Sequence, residues 1–237
     1  MIWRWTQKLN PILDFFLDAN CPLCQRPTQQ VLCLDCQQQI KYCQCSHPSQ
    51  AWQGSLPIFA WGFYKGTLKR AITALKYEHQ PQLARPLGHL LAQAWLDHAA
   101  ALTPLHSLNL PAIVVPIPLH INRQRQRGYN QALLLAESFC NVTQLPLRRQ
   151  GLLRIQATEA QFRLSARARE QNLTGAFQVD PGFQRQCPPH QQPVLLLDDI
   201  YTSGATARSA AQTLRQQGIS VCGMVTMALS PKSQTRG

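Results

Sequence analysis

The chain has 237 residues, of which 45% are hydrophobic, enough for one sizeable α/β core plus a small module or for two small domains. Its net charge is +12 and its pI about 9.7, which points to an anionic partner, with a merely solubilising basic surface as the alternative. No stretch approaches the roughly 18 apolar residues that a membrane span needs, and residues 1–17 lack a cleavable small-residue site, with Asp14 interrupting their apolar run. The expectation is a cytoplasmic protein, in which the nine cysteines read as metal ligands or free thiols before disulfides.

Six cysteines fall between Cys21 and Cys45. Cys21-Pro-Leu-Cys24 and Cys33-Leu-Asp-Cys36 form two C-x2-C knuckles, a spacing that lets four thiolates wrap a tetrahedral structural Zn²⁺. Free cysteines or a redox pair are the competing reading. A metal would substitute for the core that so short a segment cannot build. Cys43-Gln-Cys45 forms a third, tighter pair, whose thiols are further candidate ligands, with His47 nearby. The polar stretch from Ser46 to Pro57 marks a boundary, giving a zinc-ribbon module over 1–55 and a main domain over 56–237.

Phe59, Trp61 and Phe63 alternate with small residues, a strand signal. Leu68, Ala71, Ile72 and Leu75 recur at helical spacing among Lys65, Lys69, Arg70 and Lys76; Leu83, Leu87, Leu90, Leu91, Ala94 and Trp95 mark a longer helix. Ala112 to Val115 reads as a buried strand that stops at Pro116-Ile117-Pro118. The alternate spacing of Arg123, Arg125 and Arg127 puts all three on one side of an extended segment, facing pyrophosphate, nucleic acid or plain solvent. Asn130 suits the N-cap of a helix carrying Leu133, Ala136 and Cys140 inward. Residues 154–172 are polar and cationic and read as a mobile flap. Residues 180–193 are rich in Pro and Gln and read as an exposed connection, and 230–237 as a disordered tail.

The most informative segment is Leu195-Leu196-Leu197-Asp198-Asp199-Ile200-Tyr201-Thr202-Ser203-Gly204-Ala205-Thr206. An apolar run ends in two carboxylates, then in a loop of hydroxyls and small residues, then in a helix on which Ala207, Ala210, Ala211 and Leu214 face inward until Gly218. Gly204 lets successive amides converge on a phosphate, Thr202, Ser203 and Thr206 add hydroxyls, and the helix that opens near Ala205 and Thr206 adds its positive end. Two carboxylates beside a phosphate are useful where they accept hydrogen bonds from vicinal hydroxyls or help to hold Mg²⁺. Neighbouring strand residues point to opposite faces, so both reach one sugar only where the chain leaves regular strand geometry near Asp199. A capped turn after a buried strand is the bland alternative. Val221 to Leu229 resumes as a strand, so strand, helix and strand imply a parallel crossover.

This segment resembles the ribose-phosphate signature of type I phosphoribosyltransferases, which use phosphoribosyl pyrophosphate (PRPP). Pro116-Ile117-Pro118-Leu119-His120, the run from Arg123 to Gln131, Arg154-Ile-Gln-Ala-Thr158-Glu-Ala-Gln161, Leu164-Ser165, Arg169 and the run from Asn172 to Phe177 resemble the ComF/GntX family of competence-related proteins. The resemblance implies a type I phosphoribosyltransferase-like parallel sheet flanked by helices. It makes Pro116, Ile117 and Pro118 the pyrophosphate turn, with Arg123 and Arg127 beside it, and the flap a closing hood carrying Arg154, Thr158, Gln161, Arg169 and Asn172. Asp198, Asp199 and the loop from Thr202 to Thr206 would hold the ribose 5-phosphate, with Mg²⁺ accompanying PRPP.

The family often carries further C-x2-C pairs for a second zinc, which this sequence lacks. The resemblance further implies a cytosolic role in natural transformation, handling incoming single-stranded DNA beside other DNA-uptake proteins. Trp3, Trp5, Tyr42 and Trp52 either stack on bases or pack the module onto the main domain. A working phosphoribosyltransferase, passing ribose 5-phosphate to an unknown base or amine, is the alternative; no acceptor pocket or general base is recognisable.

Overall fold

The structure, a computed structural model, describes residues 19–50, 55–99, 111–156, 175–186 and 192–230. Four strands form one all-parallel sheet in the order β3-β8-β7-β4: β3 (Ile58–Phe63), β4 (Ile113–Pro116), β7 (Val194–Tyr201) and β8 (Val221–Leu229). Parallel sheets are buried on both faces, which is why these strands are near-continuous apolar runs rather than alternating ones.

Helices α2 (Gly66–Tyr77), α3 (Ala84–Ala99) and α5 (Gln131–Thr143) cover one face. Leu195, Leu197, Val114, Val225 and Met227 point into that layer, where Phe59, Trp95 and Phe139 meet edge to face. Helix α7 (Ala205–Gln216) and the antiparallel pair of β5 (Leu152–Arg154) with β6 (Phe177–Val179) cover the other, against Leu196, Val194, Val115 and Met224. Ala207, Ala210, Ala211 and Leu214 are all buried, and the helix ends before Gly218 at φ 74°, as their spacing predicts.

The cysteine-rich segment is built from a two-residue β1–β2 ladder (Ala19–Asn20 with Pro27–Thr28) and α1 (Leu34–Lys41). It shares a continuous core with the sheet: Leu23, Leu32 and Ile40 belong to the cluster of Phe59 and Trp61. Residues 43–45 then run antiparallel to β3, through Phe63 N–H donating to the Cys43 carbonyl (2.8 Å) and Cys45 N–H to that of Trp61 (2.9 Å). A Cβ at Gly62 would stand 2.6 Å from the Cys43 carbonyl oxygen, so this approach needs glycine.

Three expectations are corrected. Arg123, Arg125 and Arg127 lie on a helix, α4 (Ile121–Arg127), not an extended segment. His120 caps its start, and Gly128, at φ 84°, ends it. Arg123 and Arg127, four apart, are both half-buried, while Arg125 is exposed. The stretch read as an exposed connection contains α6 (Pro181–Gln186), which Asp180 starts by accepting from Phe183 N–H (2.9 Å) and which buries Phe183. Arg154 belongs to β5, paired with Phe177, rather than to a loose flap. Thr158, Gln161, Arg169 and Asn172 lie outside the described residues, as do Trp3, Trp5 and Trp52, Cys187 and residues 231–237.

Candidate functional site

The carboxyl ends of β4 and β7 lie side by side, with Pro116 opposite Leu197. Open parallel sheets bind ligands at this edge. The turn Pro116, Ile117 and Pro118 is pinned there by Ile117 N–H donating to the Leu197 carbonyl (2.8 Å). Asn130 braces it from the far side. Its Nδ2 donates to the Ile117 carbonyl (3.0 Å) while its Oδ1 accepts from Ala132 N–H (3.0 Å), capping α5 as expected.

Strand β7 does not break at its two acids. It stays paired through Asp198 opposite Thr226, Ile200 opposite Ala228 and Tyr201 opposite Leu229. The expectation that the chain leaves strand geometry near Asp199 is therefore corrected: the ladder carries the strand two residues further. The ladder alternates the two residues, yet their carboxyls hydrogen-bond to each other and both feel Lys76. Asp199, 2% exposed, forms an ion pair through Oδ2 with Lys76 of α2 and accepts at Oδ1 from Gln131 Nε2 of α5 (3.4 Å). Asp198 lies in the field of Arg154 on the β5–β6 side, and its Oδ1 accepts from Asp199 N–H (2.8 Å).

These surroundings divide the two acids electrostatically. Burial, and then the charge of Asp199, push the Asp198 carboxyl well above the usual carboxylate range. Burial works most strongly against ionisation of Asp199 too, but the Lys76 ammonium and the hydrogen bonds from Asp198, Lys76 and Gln131 together outweigh it and hold that carboxyl below its ordinary value. Burial likewise opposes the Lys76 charge, and the two aspartates more than restore it. Burial and the neighbouring Arg123 weaken proton binding by Arg154, whose guanidinium lies 5.6 Å from the Phe177 ring centroid. Two guanidiniums set close together beside a carboxylate that favours its proton make that side receptive to an anion.

Gly204 follows β7 at φ 75° and opens α7 with no side-chain cap on its first-turn amides. A side chain there is disfavoured by the left-handed backbone, and its Cβ would force the Tyr201 hydroxyl and the Arg208 guanidinium to shift. Arg208 Nη1 donates to the Ser203 carbonyl (3.0 Å), bracing the loop. Thr202 is exposed, Ser203 and Thr206 are half-buried, and Ala205 is buried. Loop, acids and Ile117 turn thus share one edge of the sheet.

Lys76 and Gln131 are the residues that sequence reasoning left without a role at this site. Lys76 had one signal. It falls four residues after Ile72 and eight after Leu68, on the inward stripe of α2, where a cation needs a buried partner. Gln131 follows the N-cap and gave no signal. Arg127 does not stand free beside the turn: it is held by the Gln131 side chain and lies 5.4 Å from the Tyr77 ring centroid.

At the other end of the molecule the Sγ atoms of Cys21, Cys24, Cys33 and Cys36 all lie within 4.8 Å of one another, with Cys24 and Cys33 at 3.5 Å. A ZnS₄ tetrahedron with bonds of about 2.3 Å has edges of about 3.8 Å, so the four thiols fit zinc. Backbone N–H groups from Cys33, Leu23 and Cys24 overcome burial and bring Cys21 down to about 7, while burial and the neighbouring sulfurs raise Cys36. Four thiolates this close need a cation between them. Cys43 and Cys45 take no part in this cluster. The Cys43 thiol donates to the carbonyls of Lys65 (3.4 Å) and Gln39 (3.6 Å), and burial raises Cys45 to about 11.

These features define a parallel α/β protein with a glycine-turned loop opening a helix beside paired acids, and an appended four-cysteine knuckle. No family model matches the chain. It is 32% identical to Competence protein F of Haemophilus influenzae over 206 residues, 79% of this chain and 86% of the relative. It is 29% identical to the DNA utilization protein YhgH of Escherichia coli, over 84% of this chain and 85% of that one. It is 25% identical to Competence protein ComFC of Bacillus subtilis, over 84% and 72%. The chain belongs to the ComF family. Among the described residues no helix is long and apolar enough to cross a membrane.

Proposed function

We propose that this protein binds PRPP at the shared edge of β4 and β7 and acts in DNA uptake in the cytoplasm, handling single-stranded DNA. One observation carries the PRPP reading: Asp198 and Asp199 end the buried run of β7, and five residues after Asp199 the left-handed Gly204 starts an uncapped helix. The loop suits the 5-phosphate through amides and hydroxyls. Asp198, unsettled by burial, gains from sugar hydroxyls that donate to it. Arg123 and Arg154 suit the diphosphate beside the Ile117 turn, with Mg²⁺ supplied as its complex.

The names of the relatives, two competence proteins and a DNA utilization protein, support the DNA role. So does a surface that joins cations to aromatics. Tyr42 is 75% exposed, Lys65 lies over Phe63 and Lys69 over Tyr64, on a chain of charge +12.

Calorimetric titration with PRPP, with Mg²⁺ and with EDTA, tests the first half. Saturable heat in the Mg²⁺ arm is expected, and none in either arm refutes it. Pyrophosphate release when bases or amines are added would extend the reading to transfer. For the second half, anisotropy of a labelled oligothymidine should report binding that weakens steeply as salt rises; no binding at low salt refutes it.

A further inference from the structure

The Asp199 carboxylate is engaged on both oxygens from within the protein. Lys76 takes Oδ2, at side-chain exposures of 15% for the lysine and 3% for the aspartate, and Gln131 takes Oδ1. The ammonium is not a loose arm. Three consecutive residues at the end of α2 are held: Leu75 by the Tyr129 hydroxyl on its carbonyl (2.6 Å), Lys76 by Asp199, and Tyr77 by the Arg127 guanidinium. Arg127 also holds Gln131, so the chain Arg127, Gln131, Asp199 and Lys76 closes on itself through α2.

A paired-acid site attracts a divalent cation when both carboxylates are negative and open. Here Lys76 pairs with Asp199 and its charge also reaches Asp198, which lies in the field of the Arg154 guanidinium too. A divalent ion approaching Asp199 would meet Lys76 in the place it needs and be repelled by it. We propose that Lys76 is a resident counter-cation that denies Asp199 to free Mg²⁺, so that a divalent ion enters only with a phosphate-bearing ligand. The inference rests on the PRPP reading for the identity of that ligand alone.

The test uses Mg²⁺ alone with the full zinc-loaded chain, following thermal unfolding against NaCl of equal ionic strength. The wild type and Lys76→Arg should not respond to Mg²⁺ beyond the salt control. Lys76→Met, which keeps the stem and removes the charge, should gain about 4 °C when Mg²⁺ is about tenfold above its Kd. Asp199→Asn added to Lys76→Met should abolish the gain. A wild-type response equal to that of Lys76→Met overturns the proposal, and so does a folded Lys76→Met that ignores Mg²⁺. Should Lys76→Met fail to fold in buffer, recovery with Mg²⁺ but not NaCl supports the proposal, and no recovery overturns it. Failure of PRPP to bind leaves these outcomes unchanged, and a wild-type response to Mg²⁺ leaves PRPP binding standing.

Discussion

A double-mutant cycle on Lys76 and Asp199 gives the sharpest reading of how the site is held. Lys76→Met leaves a carboxylate that is 3% exposed, with hydrogen bonds from Gln131 and the Asp198 carboxyl in place of the ion pair. Stranding a buried charge in this way costs about 3 kcal/mol. Asp199→Asn strands the ammonium instead. At 15% exposure it can swing its head toward water along its apolar stem, so the expected cost is smaller, about 2 kcal/mol. Additivity would make the double variant lose about 5 kcal/mol. With neither charge present nothing is left unpaired, and a loss of about 2 kcal/mol is expected, a coupling of about 3 kcal/mol. Urea unfolding of the four proteins measures this. For a chain of this size Lys76→Met should also lower Tm by about 9 °C. Losses that add within about 0.5 kcal/mol would refute a direct buried pair.

Two further outcomes follow from the same geometry. The folded pKa of Asp198 is raised, so its ionised form costs stability; that cost is absent below the unfolded value of about 3.9 and grows as pH rises through the folded value. Asp198→Asn should therefore stabilise by about 1 kcal/mol at pH 7 and by less at pH 4, while weakening PRPP about tenfold or more in calorimetry. Asp199 has the opposite sign: its contribution is present above about pH 3.9 and fades as pH falls through its lowered value. For the knuckle, colorimetric metal analysis should find one zinc per chain in the wild type and in Cys43→Ser, and none in Cys36→Ser.

Much of this molecule is legible without coordinates, because the signals are local. The inward alanines of α7, the Asn130 cap and the knuckle spacing each depend on residues a few positions apart, and each appears where the pattern puts it. The arginines of α4 misled, because a spacing of two fits a strand as well as a polar helix; His120 and Gly128 decided the matter from outside the pattern. The Pro- and Gln-rich composition of 180–193 points to an exposed connection, but a proline also suits a helix start, and Pro181 stands at one, next to its Asp180 cap. The partners of Asp199 were beyond reach in principle. Gln131 lies 68 positions before it, and Lys76 further still, and only the stacking of α2 and α5 on one layer brings them together.

The adjacent acids of β7 make the site a single coupled unit. Lys76 of α2 acts on both carboxyls, Gln131 of α5 adds its hydrogen bond to Asp199, and Asp198 bears in turn on Arg154 of β5. A change at Arg154 that shifts the Asp198 proton is therefore felt by Asp199 and Lys76 as well. The arrangement tolerates no slippage. Deleting one residue between Leu195 and Asp198 would turn each acid toward the other's neighbours, placing Asp198 before the ammonium and Asp199 before the guanidinium. The length of β7 ahead of its acids is thus a constraint in its own right.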